Sequence, residues 1–304
     1  ESAPFDYSIT PPLGNTPRMI RFKNGATCET RDFAAIAALE QYCGTNQGMR
    51  LVHFIESKWK MALGCFMTLI VAVWFLAANG IPYAAELIAK KIPPGILDKA
   101  SKEALEFLDK KYVGNSKLDP TASKRIQGLF QCLCNNRLSD GLNYRLVFRK
   151  GNILGPNAFA LPSGLIVMTD ELVEIAKNDQ EIIGVLAHEM AHIYNRHGLR
   201  SILQDASALL LISMLAGDIT STVATLPTML VESGYSRRFE READQAAGLY
   251  LIEKGWGVKP YQDILTRITK NQPDVAERLS LISSHPPTNE RIELLNALVA
   301  SEQK

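Results

Sequence analysis

The strongest feature in the hydrophobic pattern is an apolar run near the start of the chain. From Met61 to Ala78 no residue is charged, and a helix that crosses a bilayer needs roughly 17–25 predominantly apolar residues. A Lys-Trp-Lys sequence at 58–60 precedes the run, as interfacial residues do in membrane helices. The pattern predicts one transmembrane helix over residues 58–80. The alternative is a helix buried in a protein core.

The region before this run, residues 1–57, alternates short apolar and polar stretches. "PRMIRF" and "RLVHFIE" predict strands, and turn signals such as Asn24-Gly25 separate them. "DFAAIAALEQY" predicts one helix. We expect a small β-rich N-terminal module here, although it contains no chemical motif.

Helical periodicity dominates residues 95–304. "GILDKASKEALEFLDKKYVG" and "DPTASKRIQGLFQCLCNN" predict amphipathic helices, whereas residues 144–179 predict two or three strands and a short helix. This predicts one domain that is helical around a small sheet. A second apolar region, 206–231, is interrupted by Asp218 and Pro227, so we interpret it as a pair of core helices. Membrane contact is the alternative.

Composition and charge add little to this picture. The net charge is +1, so nothing indicates a nucleic-acid partner. The five cysteines are odd in number, and Cys132 and Cys134 are too close for an ordinary disulfide. We expect most of the cysteines to be buried as small hydrophobic residues. Because the first residue is Glu1, a lost targeting peptide stays open.

Three of the five histidines lie in one stretch, "LAHEMAHIYNRHG". The sequence predicts a helix from Asn178 to Arg196, with Asn178 as its N-cap and Gly198 just past its end. His188 and His192 are then one turn apart on the same face, where both imidazoles can reach one ion.

Glu189 stands next to the first of these histidines and completes an HExxH motif. In this arrangement zinc binds both histidines, and the glutamate accepts a proton from a zinc-activated water. The alternative is that the pattern occurs by chance, with the histidines simply packed or solvated.

A catalytic zinc needs a third protein ligand and one open position. His197 lies five residues after His192, so it should point away from the shared face. We interpret it as a supporting residue, or as one at a helix C-terminus where it suits the dipole.

A second predicted helix, 235–255, puts Glu240 and Asp244 on an otherwise small and apolar face. Zinc would pair with Glu240, and Asp244 could accept a hydrogen bond from a ligand histidine. The alternative for Glu240 is an exposed ion pair with the neighbouring arginines.

Taken together, "HEMAH" and "SRRFEREADQAAG" resemble the M48 family of zinc metallopeptidases, which includes Ste24-, HtpX- and Oma1-like membrane proteases. "NAFALPSGLIVMTDEL" resembles the family's edge strand, and "SSHPPTNERIELL" resembles its closing motif. The likeness covers about Asn157 to Leu295. It implies an α+β fold: a mainly helical zincin-type (gluzincin) catalytic domain with a small β-sheet. The N-terminal module with one span loosely resembles bacterial members.

The resemblance also implies a role for each matching residue. It implies one zinc ion per chain, held by His188, His192 and Glu240, with Glu189 as the general base and then the proton donor.

Two further residues match the closing motif. Arg291 matches an arginine near the site, and His285 matches a position that approaches the zinc or the oxyanion. Judged from the residues alone, His285 precedes two prolines that restrict the backbone. It could stabilise an oxyanion, pack against the following helix, or bind zinc in a resting state.

A candidate substrate-binding strand precedes the HExxH helix. If "GLIVMT" is an edge strand, then Gly164, Leu165, Ile166 and Val167 can bind an extended peptide through backbone hydrogen bonds. The alternative is an internal strand with Leu165 and Val167 in the core.

These features predict a membrane-anchored zinc endopeptidase that acts on protein or peptide substrates, in protein quality control. The rival interpretations are a non-catalytic zinc-binding scaffold or chaperone-like protein, and a zinc hydrolase of another substrate. Basic residues before the span, at 50, 58 and 60, outnumber those after it, at 90 and 91. This bias favours a cytoplasmic N-terminus and a catalytic domain outside the cytoplasm of a bacterial inner membrane.

Overall fold

A computed structural model of the chain describes residues 7–10, 16–42, 59–135, 142–216, 235–271 and 288–302. The chain divides into two compact units, Glu1–Ala78 and Asn79–Lys304.

The first unit contains a three-stranded antiparallel meander followed by a helix. An ion pair between Arg18 and Glu40 joins the meander to the helix, with 2.5 Å between the Arg18 Nη2 and Glu40 Oε1 atoms, and both side chains are buried. The predicted N-terminal strands are therefore present, whereas "RLVHFIE" lies outside the described residues. The elements are β1 (Tyr7–Ile9), β2 (Arg18–Phe22), β3 (Thr27–Thr30) and α1 (Phe33–Tyr42).

One long helix contains the apolar run. It comprises α2 (Trp59–Phe75), a π-helical turn (Leu76–Gly80) and α3 (Ile81–Lys91). The stretch Lys60–Lys91 is long and apolar enough to cross a membrane, and its most apolar window is 0% buried. A core helix would be mostly buried, so the exposure favours the membrane interpretation. The helix runs past residue 80, the end expected from the sequence, because the residues after it still favour helix.

The second unit is mainly helical and surrounds a four-stranded sheet of order β4-β5-β7-β6. Strands β5 and β7 are parallel, and the other pairs are antiparallel. This confirms the α+β class. The strands are β4 (Gly114–Asn115), β5 (Arg145–Lys150), β6 (Ala158–Ala160) and β7 (Leu165–Thr169). The helices are α4 (Pro94–Lys111), α5 (Pro120–Asn135), α6 (Asp170–Ile175), α7 (Asp179–Tyr194), α8 (His197–Ala216), α9 (Arg237–Glu253), α10 (Lys259–Lys270) and α11 (Thr288–Glu302).

Helix α7 lies at the centre of this unit, in contact with α5, α9, α10 and β6. It is buried on all sides over most of its length, as a helix of the core must be. Asn178 caps its start, since the Asn178 side chain accepts a hydrogen bond from the Glu181 N–H at 3.0 Å.

The end of α7 differs from the sequence prediction. The helix stops at Tyr194, and a turn follows in which Arg196 has a positive φ of 53°. Gly198, the expected terminating residue, lies within α8. A tertiary contact supports the unusual conformation, because the Arg196 Nη1 atom donates to the carbonyl of Ala89 on α3 at 3.0 Å. A single sequence gives no sign of such a contact.

The structure also bears on the second apolar region and on the cysteines. The predicted pair of core helices begins as α8, but its second half lies outside the described residues. Burial of the cysteines is wrong for Cys28, Cys65 and Cys132, which are exposed. Cys65 is exposed because it lies on the long apolar helix.

The packing of α7 against α10 depends on Gly184. A Cβ atom built on this residue would lie 2.9 Å from Cδ2 and 3.0 Å from Cβ of Tyr261. Since Tyr261 is fully buried, its ring has no free space to move into.

We therefore expect Gly184→Ala to lower the free energy of unfolding by about 1–3 kcal/mol through overpacking. The measurement is the midpoint of chemical unfolding of the detergent-purified chain. Gly128→Ala is the matched control, because a Cβ atom there meets nothing within 4 Å on helix α5. It should be neutral or stabilise by up to about 1 kcal/mol. Equal losses in both variants would contradict the packing argument.

Candidate metal centre

Helix α7 presents two imidazoles to the same point. The Nε2 atoms of His188 and His192 lie 3.0 Å apart, and both side chains are buried. The separation follows from their spacing of four residues on a helix.

Helix α9 supplies a carboxylate to this point. Glu240 is 0% exposed. Its Oε1 lies 3.2 Å from Nε2 of His192, and its Oε2 lies 3.6 Å from Nε2 of His188. Complete burial excludes the exposed ion pair with arginines that the sequence left open for Glu240. Small residues allow α9 to lie close to α7, since Ala243 and Ala247 are also fully buried.

A second carboxylate of α9 lies behind the first imidazole. Asp244 Oδ1 is 2.9 Å from Nδ1 of His188, the contact that the sequence predicts. Arg291 from α11 donates to both oxygens of Asp244, at 2.7 and 2.8 Å. The Tyr261 hydroxyl from α10 donates to Oδ1 at 2.9 Å. Burial alone would raise the pKa of Asp244, but the Arg291 guanidinium and His188 hold it well below its usual range.

These contacts fix the proton on His188. Burial, reinforced by the nearby Arg291 charge, lowers the pKa of His188 to about 3, so the imidazole is neutral. A neutral imidazole has one N–H and one lone pair. Because Asp244 accepts the Nδ1–H, the lone pair of His188 is on Nε2 and faces His192 and Glu240.

His197 makes the corresponding contact to the other imidazole. Its Nδ1 lies 3.0 Å from Nδ1 of His192, and its Nε2 lies 3.1 Å from Oε2 of Glu242. Burial and the neighbouring His192 lower the pKa of His197 to about 3. His197 is the first residue of α8, so it does not lie at a helix C-terminus. Its position agrees with the other interpretation from the sequence, that of a residue supporting the site.

Two tyrosines complete the surroundings of the site. The Tyr235 ring stacks on His192 at 3.8 Å between centroids. Its pKa is raised well above 10 by burial and by the charges of Glu189 and Glu240. The sequence does not identify Tyr235 and Tyr261 as site residues, because each is an isolated aromatic residue that belongs to no motif. Glu189 of the HExxH motif is buried as well, at 2% exposed.

The donor set fits a small divalent cation. One ligand atom from each of His188, His192 and Glu240 can be chosen so that all lie within 4.8 Å of one another. Ligands about 2.0–2.2 Å from a tetrahedral zinc ion lie roughly 3.3 Å apart, close to the separations given above. A cation between them would meet imidazole lone pairs and a carboxylate, which are the ligands zinc prefers. Three protein ligands would leave a fourth position for water or substrate.

The structure contradicts the prediction that residues 164–167 form an edge strand that binds substrate. Strand β7 pairs with β5 on one side and with β6 on the other, and residues 165–167 are buried. Gly164 precedes the strand with a φ of 97°, in a turn. A peptide cannot add to a strand whose two edges are already paired. Among the strands that the structure describes, β6 is the edge next to β7, and it contacts α7.

Of the two residues that match the closing motif, the structure describes Arg291 alone. Arg291 lies at the site, where it holds Asp244 and its Nη2 is 3.4 Å from Nδ1 of His188. His285 lies outside the described residues.

A central helix with two facing histidines, and a buried glutamate from a second helix, defines a metallopeptidase of the zincin class. Residues 137–299 match the model of Peptidase family M48, and the chain belongs to that family. The family implies a metal at this centre. Residues 3–43 match a separate domain of unknown function, DUF7092.

Several known proteins are similar to this chain. The mitochondrial metalloendopeptidase OMA1 of Saccharomyces cerevisiae is 27% identical over 167 residues, which cover 52% of this chain and 48% of that protein. A putative beta-barrel assembly-enhancing protease of Vibrio cholerae is 26% identical over 52% of this chain and 37% of its own length. The chain thus spans about half or less of the length of these two relatives.

Two other similarities cover more of the compared proteins. Metalloprotease YcaL of Escherichia coli is 27% identical over 59% of this chain and 70% of its own length. The crystal structure of S. mikatae Ste24p aligns with a TM-score of 0.40 at 17% identity, over 87% of this chain and 76% of that one.

The buried pair of Asp244 and Arg291 generates a stability prediction. Asp244→Ala leaves the Arg291 guanidinium buried without its carboxylate, which should cost about 3–5 kcal/mol of unfolding free energy. The control is Asp263→Ala, which removes an exposed i, i+4 pair with Lys259 and should cost less than about 1 kcal/mol. Unfolding midpoints in denaturant measure both. A loss for Asp244→Ala no larger than that of the control would contradict the proposed importance of the pair.

Proposed function

We propose that the protein is a membrane-anchored zinc endopeptidase that hydrolyses peptide bonds, with one zinc ion held by His188, His192 and Glu240. The observation that carries the proposal is the convergence of two Nε2 lone pairs and a buried carboxylate on one point. Family membership supports hydrolysis over a purely structural zinc site. Three protein ligands also favour a catalytic site, because structural zinc sites are usually closed by four.

The chemistry is divided between the metal and Glu189. When bound, zinc polarises a carbonyl and lowers the pKa of water toward neutrality. The carboxylate of Glu189 then accepts a proton from the attacking water and returns it to the leaving amine. Burial of Glu189 limits access of the solvent that would compete for this proton.

Substrate would lie in extended form along β6. Asn157 and Leu161 bond toward β7, since the Thr169 N–H donates to the Asn157 carbonyl and the Leu161 N–H donates to the Leu165 carbonyl. Backbone groups alternate in direction along a strand, so those of Ala158 and Ala160 point to the other side. The Ala158 N–H there is bonded to Asn157 Oδ1 at 2.9 Å, so pairing with a substrate would use the Ala158 carbonyl and the backbone groups of Ala160. Backbone pairing there selects little sequence, which suits unfolded or misassembled proteins and supports a role in protein quality control.

We further propose that the apolar run, residues 61–78, spans a membrane with the N-terminus on the cytoplasmic side. Within the part of the chain that the structure describes, one long exposed apolar helix supports the span. The basic residues that precede it support the orientation.

Glu189→Gln tests the mechanism. The amide cannot accept the proton, so hydrolysis of casein should fall by about 100-fold or more, while zinc content stays at one per chain. Glu174→Gln is the matched control, because Glu174 is exposed on α6 and makes none of the contacts described at the site, and it should keep full activity. Equal rates for wild type and Glu189→Gln would refute the base. A wild type that binds zinc but cleaves nothing would instead favour the scaffold.

A pair of substitutions tests the membrane span. Leu69→Arg with Val73→Arg puts two charges near the middle of the apolar run, where each costs about 2.5–3.5 kcal/mol of insertion free energy. The chain should then leave carbonate-washed membranes. Met61→Arg is the control, because an arginine at the end of the run can reach the interface. Retention of the double variant in the membrane would contradict the span.

A further inference from the structure

A chain of hydrogen-bonded side chains runs from His192 to the surface through His197 and Glu242. The two ring nitrogens of His197 bridge these residues, at 3.0 Å to His192 and 3.1 Å to Glu242. We call His197 and Glu242 the outer pair. His197 is 0% exposed, whereas Glu242 is partly exposed.

The direction of each hydrogen bond follows from what the groups can donate. A carboxylate only accepts, so Glu242 takes the Nε2–H of His197. The remaining nitrogen of a neutral His197, Nδ1, then has a lone pair, and it accepts the Nδ1–H of His192. His192 is left with its lone pair on Nε2, the atom that faces Glu240 at 3.2 Å.

The outer pair is held rigidly in this arrangement. The His197 ring stacks on Phe239, with 4.4 Å between ring centroids and 10° between the planes. Arg200 lies over the Phe239 ring, with its guanidinium carbon 4.5 Å from the ring centroid. Arg200 also reaches Glu242 at 3.8 Å and Glu86 of α3 at 3.5 Å. The last contact connects the outer pair to α3 through Arg200.

We propose that His197, oriented by Glu242, is a positioning residue that fixes the tautomer and aim of His192 for zinc. This inference rests on the proposed function, and it gives His192 the counterpart of the Asp244 contact on His188. Outer partners of ligand histidines typically change metal affinity about 10–100-fold when removed. The HExxH motif includes neither residue; the sequence left a supporting position open for His197 but gave no sign of Glu242 beside it.

Two substitutions of His197 separate positioning from packing. His197→Phe keeps an aromatic ring against Phe239 but removes the acceptor, so zinc should bind about 10–100-fold more weakly. His197→Asn loses the ring but places a carbonyl oxygen near the position of Nδ1, so it should bind zinc several-fold more tightly than His197→Phe. A role in packing alone predicts the reverse order.

The measurement is the zinc dissociation constant of the full chain in detergent, by competition with a chromophoric chelator. Glu242→Ala extends the test if the His197 variants fail to fold, because Glu242 is only partly buried and should tolerate truncation. It should weaken zinc binding several-fold, whereas Glu174→Ala, at an exposed position, should not.

The outcomes distinguish this inference from the proposed function. A wild-type chain that binds no zinc would overturn the proposed function itself. Zinc bound by wild type, and equally tightly by His197→Phe and Glu242→Ala, would overturn the positioning role and leave the metal site standing. An affinity of His197→Asn as low as that of His197→Phe would also overturn it.

Discussion

The second unit is organised by the approach of two helices that each bury a polar group against the other. Helix α7 brings imidazoles into the core, and helix α9 brings the Glu240 carboxylate to meet them. Burial of a carboxylate is costly unless a cation or a set of donors compensates for it. The proposed zinc ion supplies that compensation, so the metal and the packing of these helices depend on each other.

Each of the two imidazoles contacts a partner through its Nδ1 atom. Asp244 accepts a hydrogen bond from His188, and Arg291 with Tyr261 hold Asp244 in place. On the other side, His197 contacts His192. Elements distant in sequence, from α8 to α11, therefore converge on two imidazoles and determine where their lone pairs point.

The sequence predicts those parts of the site that depend on local geometry. The four-residue spacing of His188 and His192 requires only a helix, and the small apolar face around Glu240 identifies a second one. Tyr235 and Tyr261 could not be predicted, because their roles arise from which ring stacks on or bonds to a group far along the chain. The contact between His197 and His192 depends on the turn at Arg196 after α7.

In the fold, too, the features that depend on local sequence are predictable, and those that depend on tertiary contacts are not. The apolar run and the α+β class follow from hydrophobic periodicity, which is a local property. A short apolar stretch such as β7, however, fits an edge strand and an internal strand equally well, and only pairing with β5 and β6 decides between them. The end of α7 likewise depends on Arg196 reaching a carbonyl on α3.

The most direct measurement of the central claim is X-ray absorption spectroscopy at the zinc edge on the purified chain. The account predicts first-neighbour scattering from nitrogen and oxygen alone, at about 2.0–2.2 Å, with the outer-shell pattern of two imidazoles. Glu240→Ala should lose stoichiometric zinc, because it removes one of the three protein ligands. Sulfur scattering near about 2.3 Å, or the pattern of fewer than two imidazoles, would contradict it.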